Sequence, residues 1–178
     1  MTAIARILVA AAALALAAPA AAAPSRSARS VAVTSDESAI VAAINAVRAT
    51  HGLVPVKLST PLTVVATQHS EEMAARGYFA HESADGSAFW KRVQLRYASA
   101  SFGYWSTGEN LVWASPDLDA PKAIDLWMAS PAHRANILAR RWREIGISLV
   151  HATAAPGVYN GLDVTIVTTD FGVRRLPS

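Results

Sequence analysis

The sequence predicts an α+β fold in which helices flank an antiparallel sheet, and three observations carry that reading. Apolar residues recur at helical spacing through the first two thirds of the chain. The last third instead holds two β-branched runs, Ile145 to Val150 and Val164 to Phe171, which read as strands. Helices gathered ahead of strands argue for layers of segregated type around a single core, and the length leaves room for one domain.

The first helix follows from Ile40, Val41, Ile44 and Val47, with Ser35 or Asp36 placed to cap it and Gly52 placed to end it. Leu53 to Leu58 reads as extended. Thr60 before Pro61 then offers a cap followed by proline at the first helical position, and Leu62, Val65, Ala66, His69 and Met73 form the buried stripe of a second helix that stops at Gly77. Turn chemistry occupies Tyr78 to Gly86. Helical spacing returns through Phe89, Trp90, Val93 and Tyr97, which predicts a third helix over 87–97. A Ser, Gly and aromatic loop follows over 98–108, and Glu109 to Trp113 reads as a short strand or as that loop's continuation. Asp119 and Pro121 open a further helix carrying Ile124, Trp127 and Met128, and Ser130 before Pro131 breaks it. Pro156-Gly157 and Asn160-Gly161 supply the turn between the two C-terminal strands.

Residues 1–23 have the three parts of an export signal: Arg6, an apolar run from Ile7 to Ala18, and small residues from Ala20 to Ala23. The run is too short and too poor in bulky side chains to span a bilayer well, so no stable transmembrane segment is expected once it is removed. Residues 24–35 read as a flexible spacer with too few large apolar residues to fold, and 36–178 as the single domain. The expected destination is the periplasm or the medium. A formal charge of +3 is a slight excess that does not point to nucleic acid. With no cysteine the chain has neither a disulfide framework nor a thiolate metal site, and its stability rests on packing.

Three local signatures occur in order. They are Gly77-Tyr78-Phe79-Ala80-His81 with Asp85-Gly86, then Gly108-Glu109-Asn110-Leu111, then Trp127-Met128-Ala129-Ser130-Pro131-Ala132-His133-Arg134-Ala135-Asn136-Ile137-Leu138. Together with Ile145-Gly146-Ile147 and Asp170-Phe171-Gly172 they resemble the CAP superfamily of cysteine-rich secretory proteins, venom antigens and plant pathogenesis-related proteins. The third signature resembles its bacterial branch. The resemblance runs from about Ser38 to Gly172. It implies a three-layer α-β-α sandwich with a central antiparallel sheet and a solvent-filled cleft, lined in many members by two histidines and two acidic residues. His81, Glu109 and His133 match three of the four. The fourth place, three residues after Trp127, holds Ser130, so the site is a triad.

Two neutral imidazoles with one carboxylate can hold a divalent ion in an open site, with His81 and His133 as ligands and zinc as the expected cofactor. The competing reading is a hydrogen-bonded polar cluster that pins loops together without metal. Ser130 and Asn110 complete the expected lining of the cleft, although Asn110 reads better as a partner for buried backbone groups. His69 falls on a core-facing stripe and reads as a core histidine. Arg134, Arg140, Arg141 and Arg143 read as a solvated basic surface.

Two functions follow. The first is a non-catalytic exported module that binds a small ligand, a lipid or an envelope component. The alternative is a metal- or Glu-assisted hydrolase of protease type with Glu109 and His133 as candidate catalytic groups, although no Gly-x-Ser-x-Gly elbow and no His-Glu-x-x-His helix is present. A Ser130 nucleophile beside His133 is the weakest mechanism, since Ser130 reads as a turn residue.

Overall fold

A capping box starts the first helix, α1 (Ser35–Thr50): the Thr34 hydroxyl accepts from the Glu37 amide while the Glu37 carboxylate accepts from the Thr34 amide. The cap is therefore Thr34 rather than Ser35 or Asp36. The computed structural model describes residues 32–98 and 100–177. The leader expected at 1–23, and most of the spacer, lie outside the described residues.

After α1 come β1 (Lys57–Leu58), α2 (Thr60–Arg76), α3 (Phe89–Gln94), β2 (Tyr104–Ala114), α4 (Ala120–Ala129), α5 (Pro131–Ile137), β3 (Glu144–Ala155) and β4 (Leu162–Arg175). The four strands form one sheet in the order β1-β3-β4-β2. The three long strands are antiparallel, and the two-residue β1 adds a parallel edge beside β3, so the sheet is mixed rather than wholly antiparallel. Helices cover both faces, as the α-β-α expectation requires.

On one face α1 and α4 pack Ile40, Ile44 and Trp127 against Ile145, Ile147, Val167 and Phe171. On the other, Met73 and Ala74 of α2 meet Leu111, Val164 and Ile166. The expected stripe of α2, Leu62 to Met73, is fully buried. Its close seat on the sheet depends on Gly146, where a Cβ would lie 2.1 Å from the Leu62 carbonyl carbon.

Three elements differ from the sequence reading. The third helix is shorter, Phe89–Gln94 instead of 87–97. The aromatic loop gives way to a strand at Tyr104, so β2 pairs with β4 from Thr165 to Arg175. Finally, Ser130 before Pro131 does break α4 as expected, but a helix the sequence reading lacked, α5, begins at once with proline at its first position, where no amide is needed.

Candidate functional site

Edge strand β2 organises the site, because consecutive side chains of a strand point to opposite faces. Glu109 faces the α2 layer and Asn110 the α4-α5 layer. His81 and His133 reach the strand from those two sides, and their separation in sequence is closed by this one edge.

His81 follows a turn that is fastened at several points. Gly77 adopts a left-handed φ of 69° at the end of α2, and its carbonyl accepts from the Val158 amide. The Tyr159 hydroxyl donates to the Tyr78 carbonyl at 2.8 Å. The buried His69 ring donates from Nε2 to the Ala80 carbonyl at 2.9 Å, directly before His81. Burial pushes the His69 pKa down, so this ring is held neutral. It acts as the core histidine its position on the stripe suggests.

His81 Nδ1 then meets Glu109 Oε1 at 2.8 Å. The Glu109 side chain is wholly buried whereas that of His81 is 47% exposed, so the pair joins the interior to the surface. The other oxygen, Oε2, receives Arg92 Nη2 of α3 in a short ion pair. Arg92 also donates from Nη1 to the His81 carbonyl and to the Ser83 hydroxyl. The hydrogen bond that His81 donates to Glu109 raises the His81 pKa, outweighing its partial burial. With Nδ1 committed to Glu109, the free nitrogen of His81 is Nε2.

His133 sits half-buried on α5. Asn110, 1% exposed, donates to its carbonyl at 3.1 Å and accepts from Asn136 at 3.0 Å. Asn110 therefore holds the backbone of α5, as its reading as a partner for buried backbone groups expects. Burial lowers the His133 pKa, and the nearby charge of His81 lowers it further. The two rings are thus close enough that protonation of one opposes protonation of the other.

Ser130 closes α4 and opens α5 with an extended backbone, and its hydroxyl makes no capping bond. It stands as the turn residue of a helix junction. A cavity of about 480 Å³ exists elsewhere, on the opposite face of the sheet from Glu109, lined by Asp36, Asp117, Asp119, Leu149 and His151 among others.

A family model, that of the cysteine-rich secretory protein family (CAP), matches residues 41–168. The chain belongs to the CAP family. It is 32% identical over 120 residues to the uncharacterized protein YkwD of Bacillus subtilis, an alignment covering 67% of this chain and 44% of that protein. An extracellular protein containing a SCP domain from Bacillus anthracis superposes with a TM-score of 0.59 at 25% identity, covering 79% of this chain and 40% of that one. An outer surface protein of Borrelia burgdorferi shares the fold, with a TM-score of 0.63 at 19% identity over 82% of this chain and 97% of that one. The matched stretch spans less than half the length of the curated relatives, 32% of one and 44% of the other.

Among the described residues, this CAP domain brings two imidazoles and no third ligating side chain to the place expected to hold a metal. Both Glu109 oxygens are engaged, one on His81 Nδ1 and one on Arg92, so Glu109 stands behind the His81 ring and is not a third ligand. Among the described residues no three His, Asp, Glu or Cys side chains are placed to hold a metal ion. What remains is a pair of imidazoles.

Two residues of the site were not singled out for it from the sequence. Arg92 lies beside Val93 on the short α3 and gives no local signal. Asp170 does give one: it is the only acidic residue in the run Val164 to Phe171, on the alternate positions that face α2.

Proposed function

We propose that this CAP domain is an exported, non-catalytic binding module that holds a small ligand at the His81 and His133 edges of its cleft. One observation carries the reading. Glu109 is sealed from solvent with both oxygens spent on His81 and Arg92, so it orients an imidazole and is not free to accept a proton from water or substrate. The leader-like residues 1–23 and the extracellular character of the similar Bacillus anthracis protein support export. Among the described residues no helix is long and apolar enough to cross a membrane.

The chemistry of the cleft sets what it can hold. Neutral His81 offers the Nε2 lone pair to an O–H or N–H of a ligand, and the protonated ring offers a donor instead. His133, kept neutral by its surroundings, supplies the second polar contact. Native mass spectrometry of protein recovered from the exporting cells is the test. A bound small molecule retained by wild type and lost in His81→Ala/His133→Ala is the expected result, and protein that is consistently empty would refute the reading.

The hydrolase reading keeps one favourable observation, the Nδ1 bond from His81 to Glu109, which is how a base is oriented in acyl-transfer enzymes. On that reading His81 Nε2 would activate water directly. Hydrolysis lost in both His81→Ala and Glu109→Gln would support it over the binding module.

A further inference from the structure

Beneath Glu109 lies a second carboxyl. Asp170 stands directly across the β2-β4 ladder from Glu109. It shares its row with Ile166 and Thr168, which meet Met73 and Ser70 of α2. Asp170 is wholly buried, and neither of its oxygens receives an N–H or O–H from the protein. On its other flank β3 opposes it with Gly146, which brings no donor and no charge.

The charged groups that act on it are Glu109 of β2 and Arg92 of α3, and His69 of α2 faces the same two groups. Arg92 places its Nη2 hydrogen bond on Glu109 Oε2. His69 is held neutral by burial and gives its proton to Ala80. Two ionised carboxylates facing each other in a dry interior, with a single guanidinium bonded to one of them, carry an uncompensated charge that such an interior does not tolerate. A proton placed between the carboxyls removes that charge and turns two acceptors into a donor and an acceptor.

We propose that Asp170 is kept as a neutral carboxylic acid whose proton is shared with Glu109, which makes it a positioning residue of the cleft. Burial, followed by the charge of Glu109, pushes the Asp170 carboxyl well above the ordinary range, in the same direction. The pair then carries one negative charge, matched by Arg92. Glu109 Oε1 is left to accept from His81 Nδ1, so that Nε2 faces the cleft. An ionised Asp170 would instead compete for Arg92 and loosen the acceptor that fixes the His81 ring. The consequence for ligand binding rests on the cleft reading above, but the protonation itself does not.

Infrared spectroscopy of the full chain, with aspartate carrying a ¹³C-labelled carboxyl, reads the protonation directly. At neutral pH the wild type should show the band of one un-ionised carboxyl, absent in Asp170→Asn and retained in His81→Ala. A wild type showing only ionised aspartate would overturn the proposal. The positioning role is read by ¹⁵N NMR of His81, which reports which ring nitrogen bears the proton. Asp170→Asn, whose amide still donates to Glu109, should keep the proton on Nδ1, whereas Asp170→Ala should lose that preference. Identical His81 spectra in wild type and Asp170→Ala would remove the positioning role. Where Asp170→Ala fails to fold, absence of the wild-type band still overturns the protonation, and a changed His81 spectrum in Asp170→Asn removes the positioning role. An empty cleft by mass spectrometry would leave the infrared band in place, so failure of the binding reading is distinguishable from failure of this one.

Discussion

Glu109 and Asn110 are neighbours in β2 and yet work on opposite faces of the sheet, one holding the His81 ring and the other the backbone that carries His133. Strand alternation thus sets two adjacent letters to work on the two faces of the sheet. The arrangement also means that the two sides can be perturbed one at a time.

Asn110→Ala should strike the His133 side alone. It removes a donor from the His133 carbonyl and an acceptor from Asn136, both in a nearly closed environment. Loss of about 1–3 kcal/mol is expected, the usual cost of leaving buried polar groups unpaired. Chemical denaturation measures it, and the NMR signature of His81 should stay as in wild type. A changed His81 spectrum would show that the two sides are coupled through the strand.

Gly146→Ala tests the seat of α2. The new Cβ would lie 2.1 Å from the Leu62 carbonyl carbon and 2.4 Å from both its oxygen and the Thr63 nitrogen. These are backbone atoms that cannot rotate away, so α2 must lift from β3. Overpacking of this kind costs about 1–3 kcal/mol or more, and a thermal melt should show a clear drop. Because α2 also carries His69, which pins Ala80, the variant should disturb the His81 resonances as well. A stable variant with native resonances would show that the helix has slack there.

These elements differ in how far they could be read from the sequence. The stripe Leu62 to Met73, the Gly77 stop and the C-terminal strands were legible because each is a local pattern with a local cause: spacing, a left-handed turn, β-branching. The early start of β2 was not. Ser106, Thr107 and Gly108 resemble a loop in isolation, and they become strand because β4 offers a full-length partner from Phe171 to Val173. His81, Glu109 and His133 were legible as separate letters through resemblance, but the commitment of Glu109 to Arg92 was not. That ion pair forms across 17 residues between a short helix and an edge strand, and no periodicity encodes it. Asp170 lay between these cases: an acid on the inward face of a β-branched run is visible as an anomaly, although its partner is not.

Zinc provides the sharpest contrast with the expectation from the triad. Because Glu109 is occupied and no third ligand joins the two imidazoles, added zinc should leave the melting temperature of wild type where it lies with chelator present. A site that binds only the folded state would raise it. A concentration-dependent rise that vanishes in His81→Ala/His133→Ala would restore the metal centre on the two imidazoles.

The two imidazoles should titrate on opposite sides of the ordinary histidine pKa of about 6.5. His81 lies above it, chiefly through its hydrogen bond to Glu109, and His133 below it, through burial and then the charge of His81. The stability terms follow with opposite signs. His81 is more easily protonated when folded, so its contribution is complete below the unfolded pKa and is lost as pH rises through its folded value. His133 is less easily protonated when folded, so its contribution is present above the unfolded pKa and is lost as pH falls through its folded value. His81 is half-exposed, which keeps its share small. Glu109→Gln removes the charge and weakens the acceptor, so it should lower the His81 midpoint and erase the loss on the alkaline side. The acid-side loss from His133 should remain. NMR titration of both rings, run beside denaturation curves across the same pH range, reads all of these terms. Equal midpoints for the two rings in wild type would mean that Glu109 does not distinguish them, and the oriented His81 would go with it.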